Sequence, residues 1–383
     1  MHSDSFDGDL LIVAGEASGD LHGARLLTRL REMVPDLRAF GLGSQELRQA
    51  GMEAIADSSE ISVVGITEVL RILPRAREIF RLVLAEVDRR EARTALLIDF
   101  PDFNLRLAKA LKSRGVKVLY YISPQIWAWR RGRVRTISRV VDAMYVILPF
   151  EVDFYRRYGV EAVEVGHPLV DEVPELEQRW SRPQDRDEVF TIALLPGSRD
   201  SEIAANLPVM LAAAERLAAW RPCLFRLIQA ATVDDSVVAA TLANSALELE
   251  IVRSERFSAI ADSHLAICAS GTATLEVGLL QTPTVMVYRV SRWTYLLGKL
   301  LVRLPHIALV NLVLGKRVVP ELLQNDATPA AITEVVVGIL SDRDRIRLMM
   351  NQLGELRERL GATGASRRAA AHVRQELQSV KTP

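Results

Sequence analysis

At 383 residues, 49% of them hydrophobic and 25% charged, the chain is long enough for two folded domains and too apolar to be a disordered segment. Lysine plus arginine and aspartate plus glutamate balance at 48 each, which argues against a dedicated nucleic-acid binder but permits local basic clusters. Cys223 and Cys268 lie in apolar runs without a C-x-x-C partner and read as buried free thiols of a reducing compartment.

Met1 to Gly8 is acidic and polar, with no apolar signal-peptide core, so the cytoplasm is the expected location. Leu10 to Ala14 then reads as a strand. It runs into Gly15-Glu16-Ala17-Ser18-Gly19-Asp20 and a helix to about Met33. Thr94 to Ile98 is a second strand, ending at Asp99-Phe100-Pro101-Asp102 before a helix from Phe103 to about Arg114. Val116 to Ile122, Val141 to Leu148 and Ala162 to Val165 follow. Asp171 to Glu188 is charged, proline-containing and aperiodic, which places an inter-domain linker at 171–190. A second set of strands starts at Thr191 to Leu195, which feeds Pro196-Gly197-Ser198-Arg199, and continues with Cys223 to Gln229, Leu265 to Cys268 and Pro283 to Tyr288. Short apolar strands alternating with helices predict an α/β fold: two Rossmann-like doubly wound domains facing a central cleft, the GT-B architecture. The expected divisions are 1–170, the linker, 191–345, and C-terminal helices over 346–383 that return to the first domain or meet a partner. No stretch reaches the roughly 18 apolar residues of a membrane-spanning helix; Trp293 to Leu314 is interrupted by Lys299, Arg303, Pro305 and His306.

Ser270-Gly271-Thr272-Ala273-Thr274-Leu275-Glu276 follows a strand and opens a helix. Small residues there leave room for a phosphate against bare backbone N–H groups at the positive end of the helix dipole. Glu276, about one turn in, is placed to hold ribose hydroxyls. The stretch has neither the Walker pattern nor G-x-G-x-x-G, so it suggests a nucleotide diphosphate seat for something other than ATP hydrolysis or hydride transfer.

Gly15 to Asp20, Asp99 to Asn104, Tyr121 to Trp129, Gly166-His167-Pro168, Leu195 to Arg199, Ser270 to Glu276, Asn311 and Val319 to Gln324 together resemble lipid A disaccharide synthases, in that family's order along nearly the whole chain. Two departures are a phenylalanine at position 100, where the family often carries a small residue, and the Leu309-Val310-Asn311 run. The resemblance implies an inverting transfer of 2,3-diacylglucosamine from its UDP carrier to the 6-hydroxyl of 2,3-diacylglucosamine 1-phosphate. The products are a β-1,6-linked disaccharide phosphate and UDP. It also implies a peripheral protein on the cytoplasmic face of the inner membrane.

Such a transfer needs a base for the acceptor hydroxyl, and a positioned carboxylate supplies roughly 10²–10⁴-fold. Asp99, at a strand end, is preferred over Asp102, which reads as an N-cap. Glu16 is the second catalytic candidate: it holds acceptor hydroxyls, supports the base, or binds its own turn. Asp20 and His22 read as residues that cap and line the first helix, and His167 reads equally as hinge or site. Charge on the departing UDP falls to Arg199 and Ser198, with Gly271 and Thr272 at the other phosphate, Glu276 at the ribose, and Asn311 and Gln324 reaching the sugar or diphosphate. No Asp-x-Asp or His/Cys cluster has metal-ligand spacing, so neither metal nor cofactor is expected.

Acyl chains on both substrates call for an apolar, basic landing surface. Ile66 to Glu86 mixes Ile72, Leu73, Ile79, Phe80, Leu82 and Val83 with Arg71, Arg75, Arg77 and Arg81, and reads as a membrane-surface segment or an ordinary packed helix interrupted at Pro74. Trp127-Ala128-Trp129 with Arg130, Arg131, Arg133, Arg135 and Arg139 reads first as a contact for acidic lipid or substrate phosphate, then as a solvated face with the tryptophans buried, and last as a nucleic-acid site. Ser18, Arg71, Trp127, Trp129, Arg130 and Arg131 are the candidate acceptor, lipid or membrane contacts. A homodimer through 293–314 or the C-terminal helices stays open. The competing readings are a UDP-sugar 2-epimerase of the same architecture and a non-catalytic lipid- or RNA-binding scaffold.

Overall fold

The computed structural model describes residues 8–61, 66–129, 131–175, 189–290 and 304–379. The chain divides into two compact units, Met1–Pro168 with Gly361–Pro383, and Leu169–Leu360.

The first unit is built on a seven-stranded sheet. In chain order its strands are β1 (Asp9–Ala14), β2 (Arg38–Gly43), β3 (Glu53–Asp57), β4 (Thr94–Ile98), β5 (Lys117–Tyr121), β6 (Ala143–Val146) and β7 (Ala162–Glu164). They pair in parallel in the order β3-β2-β1-β4-β5-β6-β7. A parallel sheet is covered on both faces, so its central strands are apolar throughout rather than alternating. Leu10, Ile12 and Ala14 of β1 pack with Leu26, Leu27 and Leu30 of the helix Ala17–Met33 and with Ala369, Val373 and Leu377 of the helix Ala365–Ser379. Leu11 and Val13 turn to the other face, against Ile79, Val83 and Val87 of the helix Ile66–Arg89 and Leu107 and Leu111 of the helix Pro101–Lys112. The basic segment is therefore a helix docked on the sheet, and Pro74 lies within it rather than ending it.

The second unit carries β8 (Phe190–Leu195), β9 (Cys223–Ile228), β10 (Glu250–Val252), β11 (Leu265–Ala269), β12 (Thr284–Tyr288) and β13 (Glu321–Leu323). They are parallel in the order β10-β9-β8-β11-β12-β13. The start of the expected linker is packed structure. Val170 and Val173 are buried, and Arg357 donates to their carbonyls at 3.2 and 3.0 Å. The remainder, 176–188, lies outside the described residues. The C-terminal helices do not act as one body. Arg343–Arg359 stays in the second unit, packed against the helix Ala273–Leu279, whereas Ala365–Ser379 completes the first.

Candidate active site

In the first sheet, strand order reverses at the β1–β4 pair: β2 and β3 extend to one side, β5 to β7 to the other. Open α/β sheets bind ligands outside the carboxyl ends of the strands at such a point. Ala14 lies opposite Ile98, so Gly15-Glu16 and Asp99-Phe100 leave the sheet side by side. Gly15 is required by that neighbour. A Cβ on it would stand 2.1 Å from Cδ1 and 2.3 Å from Cγ of the Phe100 ring, which itself stacks on Phe103 at 5.7 Å.

Asp99 and Phe100 both have left-handed backbones, with φ of 44° and 47°. The turn is tied down from beneath: the Asp99 carbonyl accepts from Tyr120 Oη at 2.5 Å and from Asn104 Nδ2 at 2.8 Å, and the Asp99 N–H donates to the Tyr121 carbonyl at 3.0 Å. The helix after the turn starts at Pro101, where the absent N–H costs nothing, with Phe100 as its N-cap. Asp102 is thus inside the first turn and is not the N-cap that the sequence suggests. Its carboxylate pairs with Arg133 at 2.5 Å. Glu16 is the N-cap of the helix Ala17–Met33, yet its side chain makes no capping hydrogen bond, and Ser18 is exposed beside it. Asp20 serves the next element instead. Its two carboxylate oxygens accept from the N–H groups of Ser44 at 2.6 Å and Glu46 at 2.9 Å. Burial, with His22 nearby, pushes the His167 imidazole down to about 3, so it is neutral at any physiological pH.

Trp127 is not an interfacial side chain. It is 4% exposed, its ring meets Phe150 edge-on, and its Nε1 donates at 2.9 Å to Glu151. Glu151 is buried too and accepts from Ser123 Oγ at 2.6 Å and the Leu148 N–H at 3.0 Å. Burial, against these bonds, pushes its carboxyl up to about 7. Arg130 lies outside the described residues, as do the side chains of Arg71, Trp129 and Arg131. Arg135 and Arg139 are exposed on the helix Val134–Val140, whose Val134, Ile137 and Val140 are buried.

The second sheet reverses at β8 and β11, and Leu195 lies opposite Cys268, so Pro196 to Arg199 and Ser270 to Glu276 also emerge together. Gly197 has φ +137°, and a Cβ there would meet Glu202 at 2.5 Å. Glu202 accepts from the Ser198 N–H at 2.8 Å and lies 3.6 Å from Arg199, whose side chain is 59% exposed. Asn206, fully buried, ties this turn to the end of β12. Its Nδ2 donates to the Pro196 carbonyl at 3.2 Å, and its Oδ1 accepts from the Arg289 N–H at 2.9 Å. At the second turn, Gly271 has open space on its Cβ side and Thr272 is exposed. Glu276 pairs with Arg256 at 3.3 Å; burial raises its carboxyl pKa, and that arginine opposes the rise.

Asn311 departs from its expected role as a sugar or diphosphate ligand. It is 0% exposed, its Nδ2 donates at 2.8 Å both to the Val319 carbonyl and to Glu321, and its Oδ1 accepts from the N–H groups of Val318 and Val319 at 2.9 Å. With two donors and two lone pairs engaged, nothing is left for a substrate. Its carboxylate partner Glu321 also accepts from the N–H groups of Ile307 and Ala308, at 3.0 and 3.1 Å. Gln324, at φ 50°, donates to the Val290 carbonyl at 3.2 Å. Asn104 and Glu321 lie inside the motifs and Glu151 next to one in space; burial of Asn104 and Glu151, and the hydrogen bonds of Glu321 to its own loop, both invisible in the sequence, are what distinguish their roles. Among the described residues no group of His, Cys, Asp and Glu is placed to hold a metal.

Two Rossmann-like units, each a parallel doubly wound sheet with candidate site turns at its reversal point, define the GT-B fold. Similar solved structures include a calicheamicin glycosyltransferase, with a TM-score of 0.61 at 16% identity over 98% of this chain and 99% of that one. A Listeria monocytogenes protein assigned as a UDP-N-acetylglucosamine 2-epimerase gives 0.65 at 10% identity over 98% of each chain, a likeness of fold alone. The chain belongs to the lipid-A-disaccharide synthetase family, whose model matches residues 10–375. It is 47% identical over 371 residues to the lipid-A-disaccharide synthase of Myxococcus xanthus, covering 95% of this chain and 96% of that one. It is a glycosyltransferase, and the epimerase and scaffold readings fall away.

Proposed function

We propose that the protein transfers 2,3-diacylglucosamine from its UDP carrier to the 6-hydroxyl of 2,3-diacylglucosamine 1-phosphate, with inversion and without a metal ion. Asp99 is the base. Its carboxylate takes the hydroxyl proton as the oxygen bonds to the anomeric carbon and the bond from that carbon to the diphosphate oxygen breaks. Glu16, leaving the adjacent strand, orients the acceptor. Arg199 meets the charge growing on UDP, together with the N–H groups and hydroxyls around Ser198, Gly271 and Thr272. Glu202 holds the Ser198 turn and its arginine until the diphosphate arrives. Glu276 takes the ribose, and Gln324 lies on the sugar side. The first unit serves the acceptor and the second the nucleotide.

The reading rests on one observation above others: Asp99 and Glu16 emerge from adjacent strands at the reversal point of the first sheet. The protein works on the cytoplasmic face of the inner membrane, with exposed Arg135 and Arg139 supplying attraction to acidic lipid; no described helix is long and apolar enough to cross a membrane.

The test is UDP release from UDP-2,3-diacylglucosamine in mixed micelles with EDTA, with and without acceptor, for wild type and Asp99→Ala. Acceptor-dependent release that survives EDTA and is lost in the variant is the expected result. Release independent of acceptor, or full activity in Asp99→Ala, removes Asp99 from the role of base. Loss of activity in EDTA that added metal restores removes the metal-free mechanism.

A further inference from the structure

We infer that Tyr120 and Asn104 are positioning residues for the base: together they hold residues 99–100 in the backbone conformation that carries the Asp99 carboxylate out of the end of β4. This inference rests on Asp99 as the base and deepens that reading.

The conformation needs holding. Two successive residues with side chains sit at φ 44° and 47°, in the region where Cβ crowds the carbonyl oxygen. Aspartate tolerates it; an aromatic residue does so only when its surroundings over-determine the backbone. Those surroundings are unusually specific. Tyr120 comes from β5, the strand next to β4, and its hydroxyl reaches the Asp99 carbonyl at 2.5 Å. Asn104, one turn into the following helix, points its amide back out of that helix and donates to two consecutive carbonyls, Asp99 at 2.8 Å and Ile98 at 3.2 Å. Its own N–H caps the Phe100 carbonyl at 3.0 Å.

Both side chains are 0% exposed, so neither donor finds water if the turn relaxes. Relaxing the turn removes the Asp99 carbonyl as an acceptor for both donors at once, leaving Asn104 only the Ile98 carbonyl at 3.2 Å, and lost acceptors for buried donors are costly. Burial also raises the Tyr120 pKa well above that of an ordinary phenol, so it stays a donor throughout the assay range. A base acts only within hydrogen-bond reach of the proton it takes, and a misplacement of about 1 Å costs roughly a hundredfold in rate.

The experiment measures kcat and KM for both substrates in Tyr120→Phe, Asn104→Ala, Phe100→Gly, Tyr120→Phe/Phe100→Gly and Asp99→Asn, each shown folded by circular dichroism. Tyr120→Phe is expected to lower kcat by about tenfold to a hundredfold while leaving both KM values within about twofold. Asn104→Ala is expected to show the same split. Glycine adopts a left-handed backbone without steric cost, so adding Phe100→Gly to Tyr120→Phe should recover about half of the loss on a logarithmic scale. A Tyr120→Phe enzyme that is merely less heat-stable, at full kcat, overturns the inference while an inactive Asp99→Asn leaves the base standing. Lost kcat without recovery in the glycine double variant overturns turn-holding as the cause. Full activity in Asp99→Asn overturns the base, and the inference with it.

Discussion

Replacing Glu151 by glutamine removes a titrating group from the core of the first unit while nearly keeping its shape. The carboxyl accepts from Ser123, Trp127 and the Leu148 N–H, yet burial still lifts its pKa from the usual 4.5 to about 7. The folded protein therefore keeps this proton over a range where the unfolded chain has lost it. Below pH 4.5 both states are protonated and the group costs nothing. Between 4.5 and about 7 only the unfolded state ionises, so stability falls with rising pH. Above about 7 both ionise and the fall levels off. Each decade in the acid constant is worth about 1.4 kcal/mol, so from roughly pH 5 to 8 the wild type should lose on the order of 2–3 kcal/mol relative to Glu151→Gln. Urea unfolding of both proteins at half-unit pH steps, followed by tryptophan fluorescence, reads this directly. Two stability curves that stay parallel within about 0.5 kcal/mol across that range would refute the reasoning, because the carboxyl would then titrate alike in both states.

Gly15→Ala drives a methyl into the Phe100 ring and should destabilise by about 1–3 kcal/mol; thermal unfolding should show Phe100→Ala relieving most of the loss, and additive effects would deny the contact. Asn311→Ala strips four hydrogen bonds from a buried turn and should cost about 2–4 kcal/mol, read as a lowered melting temperature in the second unit. An unchanged melting temperature with a raised KM for the UDP-sugar would return Asn311 to ligand binding. Reversing Arg135 and Arg139 to glutamate should weaken sedimentation with anionic vesicles at least about thirtyfold, from about 1 kcal/mol per basic residue; unaltered partitioning would move the membrane contact elsewhere.

The strands that carry the candidate site are legible because they are apolar on both faces and end in polar turns, as Leu10 to Ala14 and Thr94 to Ile98 do. The reversal points follow from topology, and the motif residues fall at both. β2 and β3 give no such signal: Arg-Ala-Phe-Gly-Leu-Gly and Glu-Ala-Ile-Ala-Asp are short, interrupted by small or charged residues, and lie toward one edge of the sheet. For Trp127 the second reading, a buried indole under a solvated basic face, is the one the structure has; an indole beside arginines looks the same in sequence whether it faces lipid or a buried carboxylate 24 residues away. Asn311 misled for a related reason. A polar residue inside a recurring motif looks like a ligand, and only the geometry shows that its hydrogen bonds are spent on its own loop. In the sequence Asp102 looks like a cap because its neighbours' left-handed backbone cannot be seen in side-chain types.

The helix Ala365–Ser379 completes a unit whose other residues end at Pro168, with the whole second unit encoded in between. During synthesis the half of the protein made first must therefore wait to be finished. Until residues 365–379 leave the ribosome, Leu26, Leu27 and Leu30 have β1 beneath them but lack the cover of Ala369, Val373 and Leu377, while residues 169–360 are already free to close their own core. The nascent first half therefore lacks its last covering helix for the time taken to make roughly two hundred further residues, about 10–40 s at about 5–20 residues per second.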